Sequence, residues 1–200
     1  RPVAMAFDTA GTRAFAVTQD GITVIGLDGD KPEVVKNIKL GVSQGDATTH
    51  DVAITPDGSL ALVRREGDPN VAIFSLTTGE ETDVVLPGPV TDLDLSPDGK
   101  VAVAVVRDLG QVGLLPIPDI LADPTAYATV TIADATVGSA SLPADSPLAF
   151  LYSNAVPSSV LSVIDTSDAL KPPASFKLWA PIQAVFPTAD AAHAIVLHST

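Results

Sequence analysis

The chain has 200 residues, of which 46% are hydrophobic but only 4% aromatic, and it carries a formal net charge of −13. Such a charge repels phosphate backbones and anionic surfaces, so nucleic acid is not expected as a partner. The absence of cysteine excludes disulfides and thiolate chemistry, and no apolar stretch reaches the roughly 18 residues that cross a bilayer.

The apolar content is Val, Ala, Leu and Ile in short runs divided by turn residues, which is the pattern of strands. Arg1-Pro-Val-Ala-Met already reads as part of a strand, so no signal peptide is in view. Thr12 to Thr18 follows, then a turn at Gln19-Asp20-Gly21, a run from Ile22 to Leu27, a turn at Asp28-Gly29-Asp30 and a fourth run from Glu33 to Leu40. Asp-Gly between apolar runs is a strong hairpin signal.

The same order returns at once. Asp51 to Ile54 reads as a strand and Thr55-Pro56-Asp57-Gly58 as a type I turn, with Pro and Gly at the second and fourth positions. Leu60 to Val63, Val71 to Leu76 and Thr82 to Leu86 are the remaining strands, with a polar loop from Arg64 to Asn70. A third unit contains the unbroken run Val101-Ala-Val-Ala-Val-Val106, as expected of a strand covered on both faces. It then inserts Pro116 to Ala126, with one helical turn expected at Asp119 to Ala122, before Tyr127 to Ile132. The fourth unit includes Val160 to Asp165 and Ser175 to Leu178, and the fifth supplies Ile182 to Phe186 and His193 to Leu197.

Five copies align without gaps over their first two strands, starting at Pro2, Thr49, Val90, Val137 and Ile182. The turn glycine or its substitute stands at 11, 58, 99, 146 and 191, at steps of 47, 41, 47 and 45. Three residues later every copy has alanine: Ala14, Ala61, Ala102, Ala149 and Ala194. A period of roughly 40–45 residues with four strands per repeat predicts an all-β chain, a β-propeller of four-stranded antiparallel blades. About four and a half blades are expected within a single partial domain, at 2–40, 49–87, 90–133, 137–180 and 182–200. Half a blade at one end leaves an apolar face and an unpaired edge, so further blades or a second copy are expected to cover them.

The phrases His50-Asp-Val-Ala-Ile-Thr-Pro-Asp-Gly58, Val90-Thr-Asp-Leu-Asp-Leu-Ser-Pro-Asp-Gly99, Ala72-Ile-Phe-Ser-Leu-Thr-Thr-Gly79 and Ser162-Val-Ile-Asp165 resemble the bacterial YVTN-type propeller repeat. The resemblance implies the propeller fold and an extracytoplasmic setting: periplasmic, secreted or on the cell surface. It leaves three functional classes open: a binding or spacing module, a lactonase-like hydrolase, and a redox propeller whose cofactor domain lies elsewhere. The absence of Cys-x-x-Cys-His disfavours haem attached within these residues, and no cofactor is expected here.

In such a strand order, first-strand starts and second-strand ends meet at one face of the central channel. That face gathers His50, Asp51, Arg64, Arg65, Asp92 and Arg107, with Glu66, Asp108, Asn154 and His198 beside them. Basic residues collected there in an acidic protein point to a protein partner or a small anionic ligand. Gly41-Val42-Ser43-Gln44-Gly45 matches a nucleophile-elbow pattern, but no helical period follows it and a linker is the better reading. Catalysis needs a base held by a second group and donors for developing charge, and His50 has an assured partner for neither. Binding without catalysis is therefore the expectation. No metal site is expected, because Asp28, Asp30, Asp92, Asp94 and Asp98 lack a calcium-loop framework, and His193 and His198 point to opposite faces of a strand.

Overall fold

The structure, a computed structural model, describes residues 2–18, 21–39, 49–133 and 135–199. Alternating apolar runs pair with their chain neighbours into four four-stranded sheets and one two-stranded sheet, all antiparallel. The first is β1 (Pro2–Phe7), β2 (Arg13–Thr18), β3 (Gly21–Gly26) and β4 (Glu33–Lys39). The second is β5 (Thr49–Ile54), β6 (Leu60–Arg65), β7 (Asn70–Ser75) and β8 (Glu81–Val85). The third is β9 (Asp92–Leu95), β10 (Val101–Val106), β11 (Gln111–Pro116) and β12 (Ala128–Thr131), with a 3-10 turn at Asp119–Leu121 in the insertion. The fourth is β13 (Ser139–Ser141), β14 (Leu148–Tyr152), β15 (Val160–Asp165) and β16 (Ala174–Lys177), and the fifth holds β17 (Ile182–Pro187) and β18 (Ala194–His198). The expected turn at Gln19-Asp20 and the link from Gly41 to Gly45 lie outside the described residues.

Within each sheet the strands stand in chain order, and the first strands of successive sheets are neighbours: β1 beside β5, β5 beside β9, β9 beside β13, and β13 beside β17. Sheets joined through their first strands, each packed face to face on the next, make a β-propeller whose inner wall is built of those strands. The chain is thus an all-β partial propeller.

Period-2 alternation divides every strand between two neighbours. In β6, Leu60 and Leu62 pack toward the third sheet with Val106 and Leu115, whereas Ala61 and Val63 pack toward the first with Phe15 and Val17. Two more apolar layers join the third sheet to the fourth and the fourth to the fifth. With few aromatic rings available, the core is filled by branched aliphatic side chains set between sheets.

The turns after the first strands lie along one face. Gly11, Gly58 and Gly99 have φ of 67°, 64° and 74°, a conformation that costs side chains with a Cβ. Crowding adds a second constraint, since a Cβ on Gly99 would stand 2.5 Å from Pro56 Cδ in the preceding turn. Thr9 N–H donates to Pro56 O at 2.9 Å, and Arg13 donates to Asp57 O and Gly58 O, so neighbouring turns also bind one another. In the fifth copy Ala191 holds the same left-handed turn at φ 55°. Ala191→Gly is therefore expected to stabilise the protein by about 1 kcal/mol, a figure set by the cost of that conformation for a residue with a Cβ; an unchanged urea midpoint would contradict the strain.

Candidate functional site

The inner wall is the part of the molecule where strand ends carry chemistry. Asp51 on β5 and Asp92 and Asp94 on β9 line an open groove of about 640 Å³, with Val52, Leu93, Leu95 and Pro56 as apolar walls and Ala140 of β13 at its margin. Asp92 and Asp94 are two apart on one strand, so both face the groove.

Asp92 and Asp94 both accept backbone hydrogen bonds from the segment of β13, and so join the third sheet to the fourth. Ala140 N–H donates to Asp92 Oδ2 at 2.7 Å, which ties β13 to β9. Burial pushes the Asp92 carboxyl up to about 6, and the carboxylates of Asp51 and Asp94 add to that rise against the hydrogen bond from Ala140. Asp94 is also raised by burial, opposed by backbone hydrogen bonds from Leu95 and Leu142. Tyr152, on β14 of the fourth sheet, is raised by burial and by its proximity to Asp92 and Asp94, so its hydroxyl stays protonated beside them.

Of the residues expected at the channel face, Asp51 and Asp92 share this groove. Arg64 reaches it only as the partner of Asp51: its Nε and Nη2 each stand 2.6 Å from Asp51 Oδ2, and Nη1 donates to Val90 O at 3.1 Å. With 6% of its surface exposed, Arg64 is spent on joining the second sheet to the third. Arg65, next in the strand, must take the opposite face; it lies 4.0 Å from Glu81 Oε1 and is also buried. Arg107 packs against the backbone of Gly138, where a Cβ would come within 2.7 Å of Nη2, and its buried Nε has no hydrogen-bond partner among the described residues.

His50 belongs to β5, beside a register shift between Thr49 and Asp51 that recurs at Pro2/Ala4 in β1 and Ile182/Ala184 in β17. Its side chain lies outside the described residues, as does Ser43. Among the described residues no group of three His, Asp or Glu side chains is arranged to hold a metal ion. Nor is any helix there long and apolar enough to cross a membrane. Asp94 is the site residue that the strand-end reasoning passed over. Its signal was the Asp-x-Asp alternation of β9, which places two carboxylates on one side of an inner strand.

No family model matches the chain, and no curated protein matches it. Among solved structures it is similar to hydrazine synthase of Kuenenia stuttgartiensis, with a TM-score of 0.65 and 16% sequence identity over 94% of this chain. The chain spans 52% of that protein's length. At such identity the likeness is one of fold.

Proposed function

We propose that the chain is a non-catalytic β-propeller binding module that takes its ligand on the inner wall, in the groove of Asp51, Asp92 and Asp94. One observation carries this reading: three carboxylates share the groove while Arg64, the cation beside them, is committed to Asp51 and to Val90 O. The field there is negative, and the chemistry it recognises is a cation, such as the ammonium or guanidinium of a protein partner's side chain. This differs from the anion that the strand-end inventory of arginines suggested, because that inventory did not pair Arg64 with its neighbour. The resemblance to YVTN-type repeats supports placing the module in an extracytoplasmic bacterial protein.

The test is calorimetric titration with a Lys/Arg-rich peptide and an Asp/Glu-rich peptide at pH 5 and pH 7. A carboxyl held at about 6 is mostly protonated at pH 5 and mostly ionised at pH 7. The cationic peptide is therefore expected to bind about tenfold more tightly at the higher pH, one pKa unit being worth a factor of ten. Asp92→Asn keeps an acceptor for Ala140 N–H and should flatten that dependence. Preferred binding of the anionic peptide, or turnover of lactones or esters, would sink the proposal.

A further inference from the structure

Among the described residues, Arg13, Arg64 and Arg65 each stand against a carboxylate: Asp8 at 3.0 Å, Asp51 at 2.6 Å and Glu81 at 4.0 Å. Arg107 is the exception. Its guanidinium forms no hydrogen bond or ion pair among the described residues, and its Nε is buried without an acceptor. Taking a charge partly out of water without a partner is unfavourable. A chain with 24 Asp and Glu residues does not lack carboxylates to supply one, yet none is placed here.

The position of that guanidinium is fixed by its surroundings. A Cβ on Gly138 would stand 2.7, 2.8 and 3.1 Å from Nη2, Nε and Cζ of Arg107. The Nε and Nη2 edge is thus turned against the glycine Cα, which accepts nothing, and the planar fork points Nη1 the other way. Gly138 is itself gripped, since its N–H donates to Tyr152 O at 2.8 Å and its carbonyl accepts from Thr91 Oγ1 at 3.4 Å. Thr91 adjoins Asp92, which accepts from Ala140 N–H two residues past Gly138. Arg107 and the acidic groove therefore meet along one seam between β9 and β13, separated by two strand residues, about 7 Å.

We propose that Arg107 is the anion-binding half of a site whose cation-binding half is the groove, which rests on the cation reading of Asp51, Asp92 and Asp94. The ligand is then dipolar, with an ammonium or guanidinium for the groove and a carboxylate for Arg107. Charge separates this from a simple anion site. Three carboxylates beside Arg107 repel an anion that brings no cation of its own, whereas a guanidinium receives a carboxylate in short, charge-assisted hydrogen bonds. Both a free ω-amino acid and a protein segment with neighbouring basic and acidic side chains have this chemistry.

The probes are 6-aminohexanoate, whose ammonium and carboxylate lie about that far apart when extended, hexylamine, which has the ammonium alone, and hexanoate, which has the carboxylate alone. Titration of the 200-residue chain at pH 7, followed by the NMR signals of the Ala140 amide and the Arg107 Nε–H, gives each dissociation constant. The dipolar probe is expected to bind about tenfold more tightly than hexylamine, the lower end of what a hydrogen bond to a charged group contributes. Arg107→Met keeps an apolar stem, removes the charge and should bring the two ligands level. Gly138→Ala keeps the charge but displaces the guanidinium, and should narrow the gap while circular dichroism shows the chain folded. A Lys-Ser-Glu peptide bound more tightly than both its Lys-Ser-Gln counterpart and 6-aminohexanoate would support a protein segment as the source. Hexylamine and 6-aminohexanoate binding alike to the unaltered chain overturns the dipolar ligand and leaves the cation reading standing. Hexanoate binding best, or no probe binding to the folded chain, overturns both.

Discussion

Asp51→Ala is expected to destabilise the protein by about 3 kcal/mol, the scale on which breaking a buried ion pair leaves a charge without its partner. The side chain of Arg64 is 7% exposed and that of Asp51 is 36% exposed, so the loss falls on the guanidinium that stays behind. Val90 O remains as one acceptor at 3.1 Å, which keeps the effect at the lower end of the range. Replacing both partners, as Asp51→Leu with Arg64→Met, should recover most of the loss, because an apolar pair of similar volume carries no desolvation cost. Urea unfolding of the two variants and the double variant measures this directly. A loss below about 1 kcal/mol for Asp51→Ala, the scale of an exposed pair, would show that water screens it.

The repeat made the architecture legible, because the turn glycines and the alanines recur at matched positions and recurrence within one chain does not depend on any single residue's propensity. Even the decayed turn at Ala191 keeps its left-handed conformation. The candidate site was legible only in part. Sequence places Asp51, Arg64 and Asp92 near one face, and the register of the β5–β6 hairpin, counted back from Thr55 to Gly58, sets Asp51 across from Arg64. What single-chain counting leaves out is the spacing between sheets. Ala140 N–H comes within 2.7 Å of Asp92 only because β13 lies beside β9, and that contact belongs to the stacking of blades. The sign of the groove follows from such contacts: arginines counted as free in a sequence are consumed by the interfaces they hold.

Phe74→Ala is expected to cost about 3–5 kcal/mol, the range for deleting a buried aromatic side chain and leaving a cavity. Phe74 is 1% exposed and packs among Phe15, Val17 and Ile22 of the first sheet and Ala61 and Leu76 of its own. Val85→Ala provides the contrast, since Val85 lies on the outer strand β8 at 61% exposure. Its truncation should change stability by no more than about 0.5 kcal/mol, as for ordinary surface sites. Stacked repeats hold mainly to their neighbours, so the loss should be local as well as large. Hydrogen exchange in Phe74→Ala should accelerate most in β1 to β4, which pack on the second sheet through this layer and are tied to it by the turn contacts of Thr9 and Arg13, and least in β13 to β16, two interfaces away. Equal acceleration in all five sheets would show instead that the propeller opens as one unit, with the polar contacts of its inner wall coupling the blades as strongly as the apolar layers between them.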